Sequence, residues 1–209
     1  MFVGHVAVAF ALLAAVPSVG PLPALLGVSF PDLLTGLLVL LGVEDIQPDP
    51  DSPRFRDVDF RSFPFSHSLV LGTGIAAIPA LVFGAVVSPL VGVVFLVGSV
   101  SHWVLDVVVH PPHVSVLGFG RDRMVGLDLW GHPWLAVLLE LALVVESAVL
   151  FLPSTVQLSA IAVAFALHLA MADSILGLTD FAPLSTPRRF AVGILGGYAA
   201  LIGAFWWVL

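Results

Sequence analysis

The apolar residues of this chain fall in long continuous runs, separated by short segments that contain proline or charged residues. A helix needs about 20 mainly apolar residues to cross a bilayer. The runs therefore predict seven membrane-spanning helices, the first of them short for a full crossing, at 2–16, 22–43, 66–87, 90–109, 132–152, 155–177 and 190–209. Continuous runs also argue against a transmembrane β-barrel, whose strands alternate between apolar and polar residues.

The composition places the chain in the same class. Hydrophobic residues make up 59% of it, the mean hydropathy is +1.12 and only 10% of residues are charged, whereas about a quarter are charged in soluble domains. We therefore expect an all-α, polytopic transmembrane helical bundle, a single domain over 1–209, with the lipid bilayer as its partner. The absence of cysteine excludes disulfides and thiolate metal sites.

The basic residues predict an orientation. The chain has no lysine, and its seven arginines lie in the three long connections between predicted spans, at Arg54, Arg56, Arg61, Arg121, Arg123, Arg188 and Arg189. With seven spans, these connections and the N-terminus share one side of the membrane. The positive-inside rule makes that side cytoplasmic and the C-terminus outside, in a multi-pass cell-membrane protein.

A net charge of -7 argues against nucleic acid as a partner.

Several acidic residues interrupt the apolar runs. Five carboxylates fall inside predicted spans, with no arginine there to balance them: Asp32, Asp106, Glu140, Glu146 and Asp173. A carboxylate in this environment must be protonated, hydrogen-bonded, hydrated or bound to a cation. Ionisable groups inside a membrane therefore mark functional sites by default.

His102 and Asp106 are the strongest candidates for such a site. They lie one helical turn apart on the same face, so they can bind one metal ion or pass a proton between them. His110 continues the same stripe at the end of the run. A rise of 1.5 Å per residue places His5, His67 and Asp106 in one layer, roughly 5 Å below the cytoplasmic surface. His102 and Asp32 should lie beneath that layer.

These positions predict a metal site formed by His5, His67, His102 and Asp106, with Asp32 as a further ligand or a general base. Each of three members also has a simpler interpretation. His5 could be an interfacial side chain. The segment around His67 could cap the third span through Ser66. Asp32, which follows Pro31, could cap a broken helix.

The second half of the chain predicts no site of this kind. His168 and Asp173 are five residues apart, a poor spacing for a helical pair, and Glu140 and Glu146 have no histidine at helical spacing. We therefore divide the domain into a metal-site half, 1–110, and a scaffold half, 111–209. The acids of the scaffold half are expected to form interhelical hydrogen bonds.

Short motifs in the first half resemble a family of bacterial and archaeal integral membrane proteins described as metal-dependent hydrolases, one of which is LexA-regulated. The matching features, in the family's order, are His5, Pro31-Asp32, His67-Ser68, and Ser101-His102 with Asp106. The chain is also similar to uncharacterised membrane proteins that share further motifs with it, namely Met1-Phe2-Val3-Gly4-His5, Phe65-Ser66-His67-Ser68-Leu69 and Gly126-Leu127-x-Leu129-Trp130. The resemblance implies a membrane-embedded metal site.

The chain departs from the hydrolase family at two places. The family has a second acid two residues after Pro-Asp, where this chain has Leu34. The family also has a His-Arg pair shortly before its Thr-His-Ser element, where this chain reads Arg61-Ser62-Phe63-Pro64-Phe65. Metal binding thus carries over from the resemblance better than catalysis does.

Three functions fit these observations. The first is a metal-dependent hydrolase that acts from the cytoplasmic leaflet on a lipid or a lipid-linked ester, with zinc, manganese or iron as the divalent ion. The second is an ion- or proton-coupled transporter or channel that uses the same histidines and aspartates. The third is a haem-binding membrane protein with two histidines on facing helices as ligands.

Overall fold

A computed structural model describes residues 2–209 and contains seven α-helices in that range, each of which overlaps one predicted span. They are α1 Val6–Ala15, α2 Pro21–Leu40, α3 Val70–Val86, α4 Pro89–Val109, α5 Pro133–Phe151, α6 Ser154–Leu176 and α7 Pro187–Val208. The expected all-α fold is confirmed.

Five of the helices are long and apolar enough to cross a membrane: α2, α4, α5, α6 and α7. The other two, α1 with 10 residues and α3 with 17, are apolar but shorter. The protein thus has the helices of a membrane protein. The count of seven crossings, and the orientation that depends on it, stay predictions.

Proline and small polar residues set where the helices begin. The Ser88 hydroxyl accepts a hydrogen bond from the Val91 N–H, and Pro89 occupies the first turn of α4. Thr186 and Pro187 open α7 in the same way, since the Thr186 hydroxyl accepts from the Arg189 N–H. The N-cap hydroxyl accepts a hydrogen bond from one otherwise free backbone N–H, and proline has no N–H that needs a partner. Both helix starts are therefore well defined.

Helix α2 lies at the centre of the bundle, in contact with α1, α4 and α7. It crosses α4 at two glycines that leave no room for a side chain. A Cβ atom on Gly27 would lie 2.5 Å from the Phe95 carbonyl oxygen, and one on Gly98 would lie 2.9 Å from the Val28 nitrogen. The two backbones are therefore in direct contact at this crossing.

Pro31 lies inside α2, where it removes one helical hydrogen bond. Because proline has no N–H, the carbonyl of Gly27 four residues earlier loses its usual donor. The Ser99 hydroxyl of α4 donates to that carbonyl over 3.1 Å. The crossing thus satisfies a backbone group that the proline leaves free.

Two short antiparallel hairpins cover one end of the bundle. The first pairs β1 Asp45–Gln47 with β2 Asp59–Ser62, and the second pairs β3 Val114–Ser115 with β4 Met124–Val125. Ser115 also accepts a hydrogen bond from the Leu69 N–H over 3.3 Å, just before α3. The connections between α2 and α3 and between α4 and α5 thus form one layer.

An ion pair joins the two connections of this layer. The Arg56 guanidinium donates to both carboxylate oxygens of Asp128, over 3.2 and 2.9 Å. These hydrogen bonds hold the pKa of the Asp128 carboxyl below its usual value. Arg54 lies against Gly177, where a Cβ atom would meet the Arg54 Cδ at 2.7 Å, so the connection between α6 and α7 is adjacent too.

Candidate metal centre

The structure brings the five residues predicted for the site together around Asp106. Its Oδ1 lies 3.3 Å from the His5 Nε2, and its Oδ2 lies 3.2 Å from the His67 Nε2 and 3.0 Å from the His102 Nε2. Asp32 lies 3.4 Å from the Nε2 of His67 and 3.4 Å from that of His102. The contributing elements are the N-terminal segment, α2, the segment just before α3, and α4.

The cluster consists of two groups of three that share His102. His5, His102 and Asp106 form one, and Asp32, His67 and His102 form the other; within each, the potential ligand atoms lie within 4.8 Å of one another. The Asp106 side chain is only 2% exposed, whereas that of Asp32 is 19% exposed. One carboxylate is therefore enclosed, and the other faces the pocket described below.

The helix crossing fixes the orientation of His102. Its Nδ1 lies 2.7 Å from the Val28 carbonyl oxygen of α2. A carbonyl can only accept a hydrogen bond, so Nδ1 carries a proton. In the neutral ring, Nε2 then directs its lone pair at the two carboxylates. A histidine that binds a metal is typically held by such a hydrogen bond on its other nitrogen.

A chain of hydroxyl groups holds His67. Its Nδ1 lies 3.0 Å from the Ser66 hydroxyl and 3.1 Å from the Thr35 hydroxyl. The Ser66 hydroxyl donates to the Glu44 carboxylate over 2.7 Å, so it is free to accept a proton from Nδ1. Burial raises the pKa of the Glu44 carboxyl, while its hydrogen bonds with Ser66 oppose the rise.

His5 is held by stacking and by its backbone. Its ring lies parallel to that of His102, with centroids 3.7 Å apart and planes 8° apart. The Glu140 carboxylate of α5 accepts hydrogen bonds from the N–H groups of Phe2 and Gly4, over 2.7 and 2.8 Å. Glu140 thus positions the segment that carries His5. No spacing in the sequence indicated this contact.

The distances in this cluster are compatible with a bound metal ion. The Nε2 atoms of His5 and His102 lie 3.3 and 3.0 Å from oxygens of Asp106, so a proton or a cation must lie between the facing lone pairs. Four ligand atoms at 2.0–2.2 Å from one ion lie roughly 3.3–3.6 Å apart in a tetrahedron. The observed separations of 3.0–3.4 Å approach this spacing. These buried groups could therefore hold a metal ion.

Two further histidines lie at the edge of the cluster. The His110 Nε2 is 3.8 Å from Asp106 Oδ1, so the stripe predicted on α4 is present. The His110 Nδ1 lies 2.7 Å from the Nε2 of His113, which is partly exposed. Trp130 packs against the His110 ring, with centroids 4.2 Å apart.

Helix α7 adds a residue that the sequence analysis missed. The Tyr198 hydroxyl donates to Asp32 Oδ2 over 2.5 Å, and its ring is 1% exposed. Tyr198 is the only tyrosine in the chain and lies within an apolar run. A lone hydroxyl group in such a run was the one sequence feature that could have indicated a role for it. The division into a metal-site half and a scaffold half stays a prediction. Tyr198 and Glu140 belong to the second half but contact residues of the first half.

The other polar residues of the second half have local roles. The Asp173 carboxylate accepts hydrogen bonds from the N–H groups of Leu178 and Thr179 just after α6, over 2.7 and 3.0 Å. The expected interhelical bond for Asp173 is therefore wrong, because the residue lies close enough to the end of its helix to cap the next connection. His168 is buried, and its Nε2 has no hydrogen-bond partner among the described residues.

A pocket reaches the cluster from the end covered by the hairpins. Its empty volume, including the open mouth, is about 550 Å³. Its polar lining residues include Asp32, Thr35, His67 and Glu140, and the rest of its wall is largely aromatic. The pocket therefore connects the more exposed carboxylate of the cluster with the loop layer.

Comparisons with protein families, with curated proteins and with solved structures find no match to this chain. The geometry of the cluster is therefore the basis for a function.

Proposed function

We propose that the protein is a membrane-embedded, metal-dependent hydrolase. In this proposal His5, His67, His102 and Asp106 bind a divalent ion, and Asp32 acts on the substrate. The observation that carries the proposal is the difference between the two carboxylates. Asp106 is enclosed by imidazole rings, whereas Asp32 contacts the same His102 and also faces the pocket. One acid is suited to permanent ligation and the other to proton transfer.

The side chains around Asp32 support this assignment. When bound, a divalent ion polarises a carbonyl or phosphoryl oxygen and makes a nearby water molecule more acidic. Asp32 accepts the proton of the attacking water, since it is the carboxylate of the cluster that lines the pocket. The Tyr198 hydroxyl holds Asp32 Oδ2 in place, which directs Oδ1 towards His67. Rigid placement of a general base is worth a large part of its catalytic effect.

The shape of the interior favours hydrolysis over transport. A transport path would have to continue from the cluster to the opposite end of the bundle. Below the cluster, Val6, Phe10, Leu25 and Phe205 are fully buried and close-packed. The pocket that lies at that opposite end is lined by other residues, such as Pro17 and Leu209. A site open from one end suits an enzyme that receives a lipid or a lipid-linked ester from one leaflet, which the arginine pattern makes the cytoplasmic one.

The haem alternative fits the geometry poorly. The parallel rings of His5 and His102, 3.7 Å apart between centroids, leave no gap for a macrocycle between them. Both rings also direct Nε2 at carboxylate oxygens, which are ligands for zinc, manganese or non-haem iron.

The proposal can be tested by metal analysis of the purified protein. We expect about one divalent ion per chain by elemental analysis, with no haem band in the visible spectrum. Asp106→Asn should lose most of the metal, because it removes a ligand at the centre of the cluster. Glu146→Gln is the matched control, since it changes a carboxylate of α5 that does not line the pocket. Equal metal in all three proteins would contradict the proposed site.

Catalysis requires a second measurement. The metal-loaded protein should hydrolyse esters of amphiphilic alcohols, and Asp32→Asn should lower kcat by at least a hundredfold while most of the metal is retained. Loss of metal in proportion to loss of activity would make Asp32 a ligand and not a base.

A further inference from the structure

The wall of the pocket that leads to Asp32 combines aromatic rings with negative charge. Six aromatic side chains line it: Phe2, Phe55, Phe60, Trp130, Phe190 and Tyr198. Its ionisable lining residues are carboxylates and histidines, and no arginine is among the described residues that line it. A bound molecule therefore meets apolar surface, acidic groups and imidazoles, but no arginine from the described part of the chain.

Three arginines that adjoin lining residues in the sequence are already paired, whereas Arg189, which precedes Phe190, is exposed. Arg54 contacts Asp57 over 2.7 Å, Arg56 contacts Asp128 over 2.9 Å, and Arg61 lies 2.9 Å from Asp59. Phosphate recognition normally relies on arginine or lysine side chains free to donate to the phosphate oxygens. The described lining residues include no arginine, and the chain contains no lysine.

The charges at the floor of the pocket also argue against an anionic substrate. A divalent ion would be neutralised by Asp32 and Asp106, the two carboxylates of the cluster. Glu140 then remains as an additional acid, held by the N–H groups of Phe2 and Gly4 while it lines the pocket. An anionic substrate would be repelled by this carboxylate, whereas an uncharged one would not.

The length of the pocket indicates what fills it. Phe190 lies in the first turn of α7, and Tyr198 lies eight residues further along the same helix. At 1.5 Å per residue the two are about 12 Å apart along the helix axis. The aromatic wall thus extends from the ends of the helices down to Asp32, as a site for an apolar chain with its reactive group at the deep end would require.

We infer that the substrate is an uncharged carboxylic ester that carries an apolar chain, an inference that rests on the hydrolase function proposed above. In the reaction the acyl C–O bond breaks and a water oxygen bonds to the carbonyl carbon. One proton of that water reaches the leaving alcohol, and the other is released as the new carboxylic acid ionises. Phosphate esters, which bring negative charge to Glu140, are not substrates.

Binding and cleavage can be measured separately with a matched pair of probes. A monoalkyl glycerol ether and its phosphorylated form share one chain, and neither contains a carboxylic ester. Native mass spectrometry of the purified full-length protein should show at least tenfold more bound uncharged ether than phosphorylated ether. The corresponding monoacylglycerol should release fatty acid, and the corresponding acylglycerol phosphate should not.

Variants identify the groups responsible. Glu140→Gln keeps an oxygen for the Phe2 and Gly4 N–H groups but removes the charge, so it should reduce the preference between the two probes by about fivefold. Glu146→Gln should leave the preference as it is. Phe190→Ala should weaken binding of the uncharged ether by about tenfold, whereas Phe181→Ala, on the exposed surface, should not.

The outcomes separate the two proposals. Selective binding of the uncharged ether without any ester cleavage by the metal-loaded protein would support the assigned ligand class and overturn the hydrolase function. Equal or tighter binding of the phosphorylated ether would overturn the assigned ligand class, whatever the activity. Cleavage of the acylglycerol phosphate at a rate equal to that of the uncharged ester would overturn it as well.

Discussion

At the scale of single residues, the decisive feature is how His102 and His67 are held on the side away from the cluster. His102 is fixed by a backbone carbonyl, and His67 is fixed by two hydroxyl groups that are linked to Glu44. These hydrogen bonds select the tautomer whose Nε2 faces the carboxylates. For the proposed metal site, we therefore expect the supporting groups to affect metal affinity although none of them belongs to the cluster itself.

We predict that Thr35→Val lowers metal affinity by roughly 10–100-fold, the usual effect of removing a hydrogen bond that orients a ligand. Valine has nearly the shape of threonine, so the packing of α2 should be preserved while the contact with His67 Nδ1 is lost. Competition with a chelator of known affinity measures the change. Thr155→Val, at an exposed position of α6, is the control, and an identical affinity for both variants would contradict the role of Thr35.

The sequence predicted the members of this cluster better than the groups that support them. The spacing of His102 and Asp106 follows from helix geometry, and His5 and His67 follow from their depth relative to the helix ends. Tyr198, Glu140 and Glu44 could not be assigned in this way, because each contacts a residue far away in the sequence. The separation is 166 positions for Tyr198, 138 and 136 for the two contacts of Glu140, and 22 for Glu44. Such contacts depend on which helices become neighbours, and periodicity along one helix does not encode that.

At the scale of secondary-structure elements, the crossing of α2 and α4 determines the geometry of the cluster. Gly27 and Gly98 bring the two backbones together, and the Val28 carbonyl reaches His102 only because of that close approach. Pro31 marks the same region, since the carbonyl it leaves free is bonded by Ser99 of α4. The sequence indicated a kink at Pro31 but not which helix would pack there.

We predict that Gly98→Ala destabilises the protein by about 1–3 kcal/mol, because the new methyl group would meet the backbone of α2. It should also weaken metal binding, since the contact between His102 and Val28 would lengthen. Gly74→Ala is the matched control, as a Cβ atom there has nothing within 4 Å. It should be neutral or stabilising by up to about 1 kcal/mol. Thermal unfolding in detergent distinguishes the two, and equal midpoints would contradict the close crossing.

The hairpin β3–β4 should respond to acid. Burial tends to raise the pKa of the Asp122 carboxyl, but hydrogen bonds from the Ser115 hydroxyl and the Leu117 and Gly118 N–H groups outweigh it, and the pKa falls to about 2. Because the pKa is lower in the folded chain than in the unfolded one, the carboxylate stabilises the hairpin above the ordinary value near 4. This contribution is lost as the pH falls towards 2.

The measurement is hydrogen exchange at the Leu117 and Gly118 amides, corrected for intrinsic rates. Protection should be constant from pH 7 to about 5 and decrease between about pH 4 and 2. Asp122→Asn should show weak protection at every pH, since an amide replaces the charged acceptor. Unchanged protection down to pH 2 in the original protein would exclude this role for Asp122.

At the scale of the whole molecule, contacts join the three long connections at one end of the bundle. These connections carry five of the seven arginines, and Arg188 and Arg189 lie in the first turn of α7. The apolar runs predicted all seven helices because helix length and composition are local properties. The number of crossings is not local in this sense, since α1 and α3 are shorter than the usual minimum. Their depth in the bilayer depends on how the longer helices hold them.

We predict that reporter fusions in the connection 110–131 and at Leu209 report opposite sides of the membrane, the first cytoplasmic and the second outside. Seven crossings place these two positions on different sides. A fusion in the connection 178–189 serves as the control, since it should agree with the one at 110–131. Agreement between 110–131 and Leu209 would remove a crossing and with it the assignment of the pocket to the cytoplasmic leaflet.

The bonds between Glu140 and the backbone at Phe2 and Gly4 also bear on the order of assembly during translation. All four proposed metal ligands have been synthesised by the end of α4, but the segment that carries His5 is held by α5, and Asp32 is held by α7. A nascent chain arrested after α4 would thus contain every ligand without the contacts that place two of the five cluster residues. The centre should accordingly mature late, and metal should be acquired after insertion of the last helix rather than during it.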